Sequence, residues 1–285
     1  MPLALDTAYA VAIIVTLWAT ALGSGLLYRP SEIVAAASDR GRFLRIIALD
    51  AVAIPLIVFG LARALAVPDG YVAGLVIVGA ASAGTLGLAF VRSARADVPL
   101  AIGLVVVLEI GNLVTIPVWS TLLLAEGVRP PVGDVLGTLV LGVLVPLVIG
   151  MGLRILQPGR AGGWARVLGV VSTVGLAVVV GIVLYRDFDD VIEAWAALVP
   201  LVAVATVFVA IATGWAIGGP GRRSRAAAGL VTSLRANTPA LAVAGATYGP
   251  RSDAALAIVV FALVSIAVSS VVAVWVRRSA AARAP

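Results

Sequence analysis

Apolar residues run along this chain in long stretches, interrupted at short intervals by small clusters of glycine, proline, arginine and acid. Nine stretches are long enough to cross a bilayer as helices: roughly 7–28, 43–66, 71–92, 98–124, 133–156, 163–185, 191–217, 226–249 and 254–276. The breaks carry turn signals such as "VPDG", "QPGRAGG" and "GGPGRRSR". The pattern predicts an all-α integral membrane protein, a single domain over 1–285 with no soluble module beyond short loops.

Composition agrees. The chain is 62% hydrophobic and 12% charged, where a soluble domain is about half apolar and a quarter charged. Its solvent is the lipid bilayer. Cysteine and histidine are absent, which removes disulfides, thiolate chemistry, the usual zinc ligands and Ser-His or Cys-His catalysis.

All twenty basic residues are arginine, and they alternate in side. Fifteen, among them Arg29, Arg92, Arg166, Arg222, Arg277 and Arg283, fall on one face of the membrane. Four, Arg63, Arg129, Arg186 and Arg251, fall on the other, and Arg235 lies inside a span. The excess of arginine marks the cytoplasmic side, with the N-terminus outside and the C-terminus inside. The net charge of +6 is then membrane topology, and implies no nucleic-acid partner. The start, "MPLALDTAYA", lacks a basic signal-peptide region, so the first stretch is expected to be a retained span.

Polar residues at membrane depth are the functional candidates, because each is costly unless paired or hydrated. Arg235 lies ten residues beyond Arg225, about 15 Å along a helix and near the midplane. Glu109 is similarly central, and Asp50 is seven residues into its span. Asn112, Ser233, Asn237 and Thr238 add uncharged groups. Arg235 either holds an anionic substrate or closes an internal ion pair. Glu109 is either its partner or a structural acid, and Asn112 reads as an interhelical hydrogen bond. Two acids and one arginine leave this interior at −1 when ionised, which one proton or one sodium ion would neutralise.

Two spans are interrupted, the third at "GAASAGTLG" and the eighth at "SLRANTPA". They are five spans apart and so cross in opposite directions. Matching broken helices of opposite direction are the mark of inverted repeats in secondary transporters. The approximate repeats are 7–124 and 163–276, joined by 133–156, with breaks expected at about 82–87 and 233–239.

Three segments carry a resemblance: "GSGLLYRPSEI...RFLRIIALDAVAIPLIVFGLARAL", "VAGLVIVGAASAGTLGLAFVRSARADVPLAIGLVVVLEIGNLVTIPVW" and "GLVTSLRANTPALAVAGA". In order and spacing they resemble the bile acid:sodium symporter family, and in span count its nine-span bacterial members. The resemblance implies a panel domain and a core domain, with two broken helices crossing at substrate and sodium sites. It implies a bacterial plasma membrane and Na+ as coupling ion.

This chain departs from the pattern at both sodium sites. The side chains of the first site fall on Gly87, Leu88, Ala101 and Val105, none of which coordinates an ion. At the second, a glutamine falls on Asp50, a glutamate on Ser233, a glutamine on Asn237 and a glycine on Arg235. The resemblance thus implies a carrier of a small organic anion coupled to at most one sodium ion at Asp50, Ser233 and Asn237. The alternative is a sodium-independent or proton-coupled carrier in which the Arg235 guanidinium replaces the cation. Expected substrate contacts are Arg235, Asn237, Thr238, Glu109 and Asn112. An enzyme is disfavoured, since a paired-carboxylate hydrolase needs two facing acids. Oligomeric state is not legible in the sequence.

Overall fold

The computed structural model describes residues 2–28 and 39–281. Arg29, Arg283 and the 29–38 part of the first resembling segment lie outside them. Every described regular element is helical. Seven helices are long and apolar enough to cross a membrane, and a bent pair makes an eighth. The segment expected as a further crossing, 226–249, is a second broken pair of helices that does not meet this measure. Ser233, Arg235, Asn237 and Thr238 at its centre keep it out of that count.

In chain order, α1 is Pro2–Leu27. The second span is α2 (Arg40–Ala48), a π-turn at Leu49–Ala53, and α3 (Ile54–Ala64). The third is α4 (Asp69–Ala80) and α5 (Thr85–Ser93), bent by 62°. The fourth is α6 (Val98–Leu123). The fifth is α7 (Val132–Leu139), a π-turn at Val140–Leu144, and α8 (Val145–Leu156). Then follow α9 (Pro158–Arg186), α10 (Phe188–Ala196), α11 (Val199–Ile217), α12 (Arg222–Ser233), α13 (Asn237–Tyr248) and α14 (Asp253–Ala281).

The expected seventh span, 191–217, is two helices rather than one. Leu198 takes a left-handed conformation (φ 61°) ahead of Pro200, which ends α10 and starts α11. The acidic run after Tyr185 forms the first turn of α10, where Asp189 and Asp190 face the positive helix end.

Both π-turns precede a proline at the second position of the next helix, Pro55 and Pro146. Proline has no N–H for the carbonyl four residues back, and the wider turn accommodates its ring. For Pro55 the carbonyl released is that of Ala51, which accepts from Trp119 Nε1 at 2.7 Å. Asp50 lies in this π-turn.

The helices pack in two groups. α1 runs along α9 and α8, and Gly25 of α1 meets Gly150 of α8 backbone to backbone. In the other group α4 packs on α14, α11 on α12, and α5 and α12 on each other and on α6. Valines of α9 such as Val167, Val170, Val174 and Val178 face outward, where lipid would lie. The buried apolar side chains form two main clusters, one toward each membrane face. Between them are the buried polar groups Asp50, Ser82, Glu109, Asn112, Ser233 and Arg235.

Candidate functional site

The two breaks meet. Gly84 N–H donates to Leu234 O at 3.0 Å, and Ala236 N–H donates to Ala81 O at 3.0 Å. The interrupted stretches, 81–84 and 234–236, thus bridge each other as two short extended strands would. The second falls within its expected range, and the first begins one residue early. A β-carbon on Gly84 would lie 2.7 Å from Arg235 O, so only glycine allows this approach.

Breaking α4 leaves its last carbonyls without helical partners, and each finds a substitute. Ala80 O accepts from Thr115 Oγ1 at 2.8 Å, and Ser82 O from Asn112 Nδ2 at 3.1 Å. Val78 O and Gly79 O accept from Arg235, at 3.4 Å from Nε and 2.6 Å from one terminal nitrogen. That terminal nitrogen also donates to Asp50 O at 3.3 Å. The other donates to Asp50 Oδ1 and, at 3.4 Å, to Thr232 O. A guanidinium has five N–H donors, and all five are engaged here. Arg235 is 2% exposed and Asp50 0%. The cation also sits at the negative C-terminal end of α4, so its charge is balanced twice over.

Of the two carboxylates expected near Arg235, Asp50 is the one that pairs with it. Glu109 instead accepts from Tyr28 Oη at 3.1 Å and Ser24 Oγ at 3.4 Å, both at the end of α1. Among the described residues no basic side chain pairs with it. Asn112 makes the backbone bond given above, across helices. Ser233 Oγ turns to Leu230 O and Ser269 Oγ, both at 3.0 Å. Asn237 and Thr238 open α13 and line a narrow cleft with Glu109, Thr20, Ser172 and Thr85. Asn237 Oδ1 has no hydrogen-bond partner there. Both half-helix starts, at Thr85 and Asn237, border this cleft.

These residues do not fit a sodium ion beside Asp50. Asp50 Oδ1 and the carbonyls of the broken helix, which would coordinate it, accept from a guanidinium, and only Asp50 Oδ2 is left without a hydrogen-bond partner. Among the described residues no group of three or more His, Cys, Asp or Glu side chains is placed to hold a metal ion. At the other expected sodium position, Leu88, Ala101 and Val105 pack in one apolar cluster.

The cleft widens toward the arginine-rich face into a cavity of about 320 Å³ between α1, α5 and α9. The opposite end is closed by charge. Arg186 donates to Asp6 at 2.7 Å and to Asp187 at 2.6 Å, stacks over Tyr9 at 5.4 Å, and reaches Pro250 O at 3.3 Å. Arg251 joins through Asp6 at 3.3 Å. This cluster ties α1 and α9 to the loop between α13 and α14, and so ties the two packing groups together. Beside it lies an apolar crevice between α1 and α13, bordered by exposed Ile14, Trp18 and Leu141.

Sequence reasoning missed the partners of Glu109 and the Arg186 cluster. A signal for the first exists: Thr16, Thr20, Ser24 and Tyr28 recur every four residues and so share one face of α1. Thr20 and Ser24 each donate to the carbonyl four residues back, and Thr20 meets Ser172 Oγ at 2.5 Å.

The chain matches the model of the sodium bile acid symporter family over residues 44–212, more than half its length. No individually curated protein matches it.

Proposed function

The chain belongs to the sodium bile acid symporter family, and from that premise we propose that it is a secondary carrier of a small organic anion coupled to a proton in place of sodium. The observation that carries this reading is the Arg235 guanidinium, bound to Asp50 and to the freed carbonyls of α4. A fixed cation occupies the position where a mobile one would couple transport.

With Arg235 neutralised by Asp50, Glu109 is the remaining charge in the polar layer. A proton removes it, and it is lost again when the cavity opens to the less acidic side. Glu109 borders the cleft and bonds across from α6 to α1, so its state bears on how the two packing groups hold together. The group of α1, α8 and α9 corresponds to the family's panel, and the group around α4, α5, α6 and α12 to its core. The repeats 7–124 and 163–276 supply one broken helix each. The half-helix starts at Thr85 and Asn237 direct positive dipole ends toward an anion in the cleft, with Asn237 and Thr238 as donors. With the arginine-rich face cytoplasmic, the described conformation is open inward and closed outward by the Arg186 cluster.

Uptake of labelled organic acids into proteoliposomes tests the reading. Uptake is expected to persist when choline replaces sodium, and to rise when the substrate side is made more acidic. Uptake that requires sodium and ignores the proton gradient overturns it.

A further inference from the structure

The engagement of all five Arg235 donors leaves a question of charge. If the carried species is an anion, its acidic groups need another cation. The cavity supplies two. Arg92 at the end of α5 and Arg166 in the first turns of α9 line it from facing walls, one in each packing group. Among the described residues neither guanidinium makes a hydrogen bond or an ion pair, and no described carboxylate lies within ion-pair distance of them. Between the arginines and the cleft the walls present hydroxyls: Thr20, Ser24, Thr85, Ser172 and Thr173. Glycines (Gly23, Gly162, Gly169) keep them low, and no aromatic ring borders the space.

We infer that this cavity is a recognition site for a small hydrophilic dianion, one acidic group on Arg92, the other on Arg166, and a short hydroxyl-bearing skeleton against the hydroxyl wall. The inference rests on the carrier reading for its biological meaning, but the binding it describes stands apart from transport. Three features carry it. About 320 Å³ is at the small end of the ~300–1,000 Å³ usual for ligand sites. The walls mix these hydroxyls and glycines with small aliphatic groups, Ala19, Ala89, Ala165, Leu27, Leu86 and Leu88, and no aromatic side chain among the described lining residues offers a stacking face for a fused-ring amphiphile. Two guanidiniums without an ion-pair partner among the described residues, each able to grip a carboxylate or phosphate bidentately, match two acidic groups. Because they belong to different packing groups, a bound dianion bridges the groups at the open end, opposite the Arg186 cluster at the closed end.

The chain has no cysteine, so a single Ser172→Cys variant reports on the cavity without background. In detergent, where both faces are accessible, a small anionic thiosulfonate is expected to label the introduced thiol about 10-fold faster than its cationic counterpart, through the positive field of the two arginines. Adding Arg92→Gln and Arg166→Gln should abolish the preference. Arg154→Gln, which removes an arginine at the same face outside the cavity, should leave it. Malate and tartrate should slow labelling, whereas lactate, a monoanion, and taurocholate, a steroid anion, should not. Equal rates for the two reagents, no labelling at all, or protection by taurocholate or lactate as strong as by the dianions each overturn the inference. Uptake by unmodified protein is scored separately: absent uptake with intact anion preference and dianion protection counts against the carrier reading, not against the site.

Discussion

Arg235 holds Asp50 by its carboxylate and its backbone carbonyl at once, from the point where one broken helix stops, across to the π-turn of another. A single guanidinium thereby closes an ion pair and caps the open end of α4.

The first prediction concerns stability. Arg235→Ala leaves Asp50 buried without its charge partner and two helix-end carbonyls without donors. Removing one member of a buried pair costs about 3–5 kcal/mol, so the purified variant should melt well below the parent. Arg235→Lys restores a charge but cannot reach both carbonyls, and should melt in between. Arg235→Leu combined with Asp50→Leu should recover much of the loss. Melting of Arg235→Ala within a degree or two of the parent contradicts this account.

A second prediction uses the departures from the family pattern. Asp50→Gln, Ser233→Glu and Arg235→Gly together remove the built-in cation and return the expected sodium ligands. Sodium in place of potassium should raise the melting temperature of this triple variant and leave that of the parent unchanged. A parent protein stabilised by sodium would sink the idea that Arg235 has replaced the ion.

Coupling is tested at Glu109. The amide of Glu109→Gln still accepts from Tyr28 and Ser24, so folding should survive. The amide does not titrate between ordinary pH values, so the rise in uptake on acidifying the substrate side should disappear. Retention of the full pH response would move the proton site elsewhere.

At the closed end, Asp6→Asn weakens the bonds to Arg186 and Arg251. Partly exposed ion pairs are worth about 0.2–1 kcal/mol, enough to shift a two-state ratio by up to about five-fold. A cysteine placed at Ala242, buried beside the crevice between α1 and α13, should then react faster with a water-soluble reagent. An unchanged rate would mean that the cluster does not hold this end shut.

Topology has its own test. A reporter active only in the cytoplasm should work when fused after Pro285. Activity of an exported-only reporter at that position would reverse the arginine argument.

Much of this arrangement can be read in the sequence, because a bilayer leaves few options. Long apolar runs must be helices, and Gly84 and Pro239 mark the two breaks. The pairing of Arg235 with Asp50 rather than Glu109 is what the resemblance implies, since the family pattern sets Asp50 beside the second crossing helix. The saturation of Arg235 is not legible, since it depends on where the carbonyls of Val78 and Gly79 point after α4 ends. The role of Arg92 and Arg166 is hidden for another reason: along the chain they are two of many arginines at one face, and only the approach of α5 to α9 sets them around a common space. The division of 191–217 at Leu198 is equally hidden, because a left-handed leucine is set by tertiary context rather than by its type.

The Arg235–Asp50 bond also constrains how the protein is made. The two residues are 185 positions apart, so at about 5–20 residues per second the ribosome reaches Arg235 roughly 10–40 s after Asp50. During that interval the second helix must enter the lipid with a lone acid, at a cost of about 2.5–3.5 kcal/mol at the translocon if it stays charged. The arginine arrives later in a segment that is itself poorly apolar and broken at the middle. The second span is apolar enough to cross alone, whereas the segment around Arg235 is not, so the later arrival depends on the earlier one. The nascent chain is therefore expected to hold an unpaired Asp50 in its inserted second span until Arg235 arrives, and a truncation before residue 235 should yield a product that quality-control proteases remove.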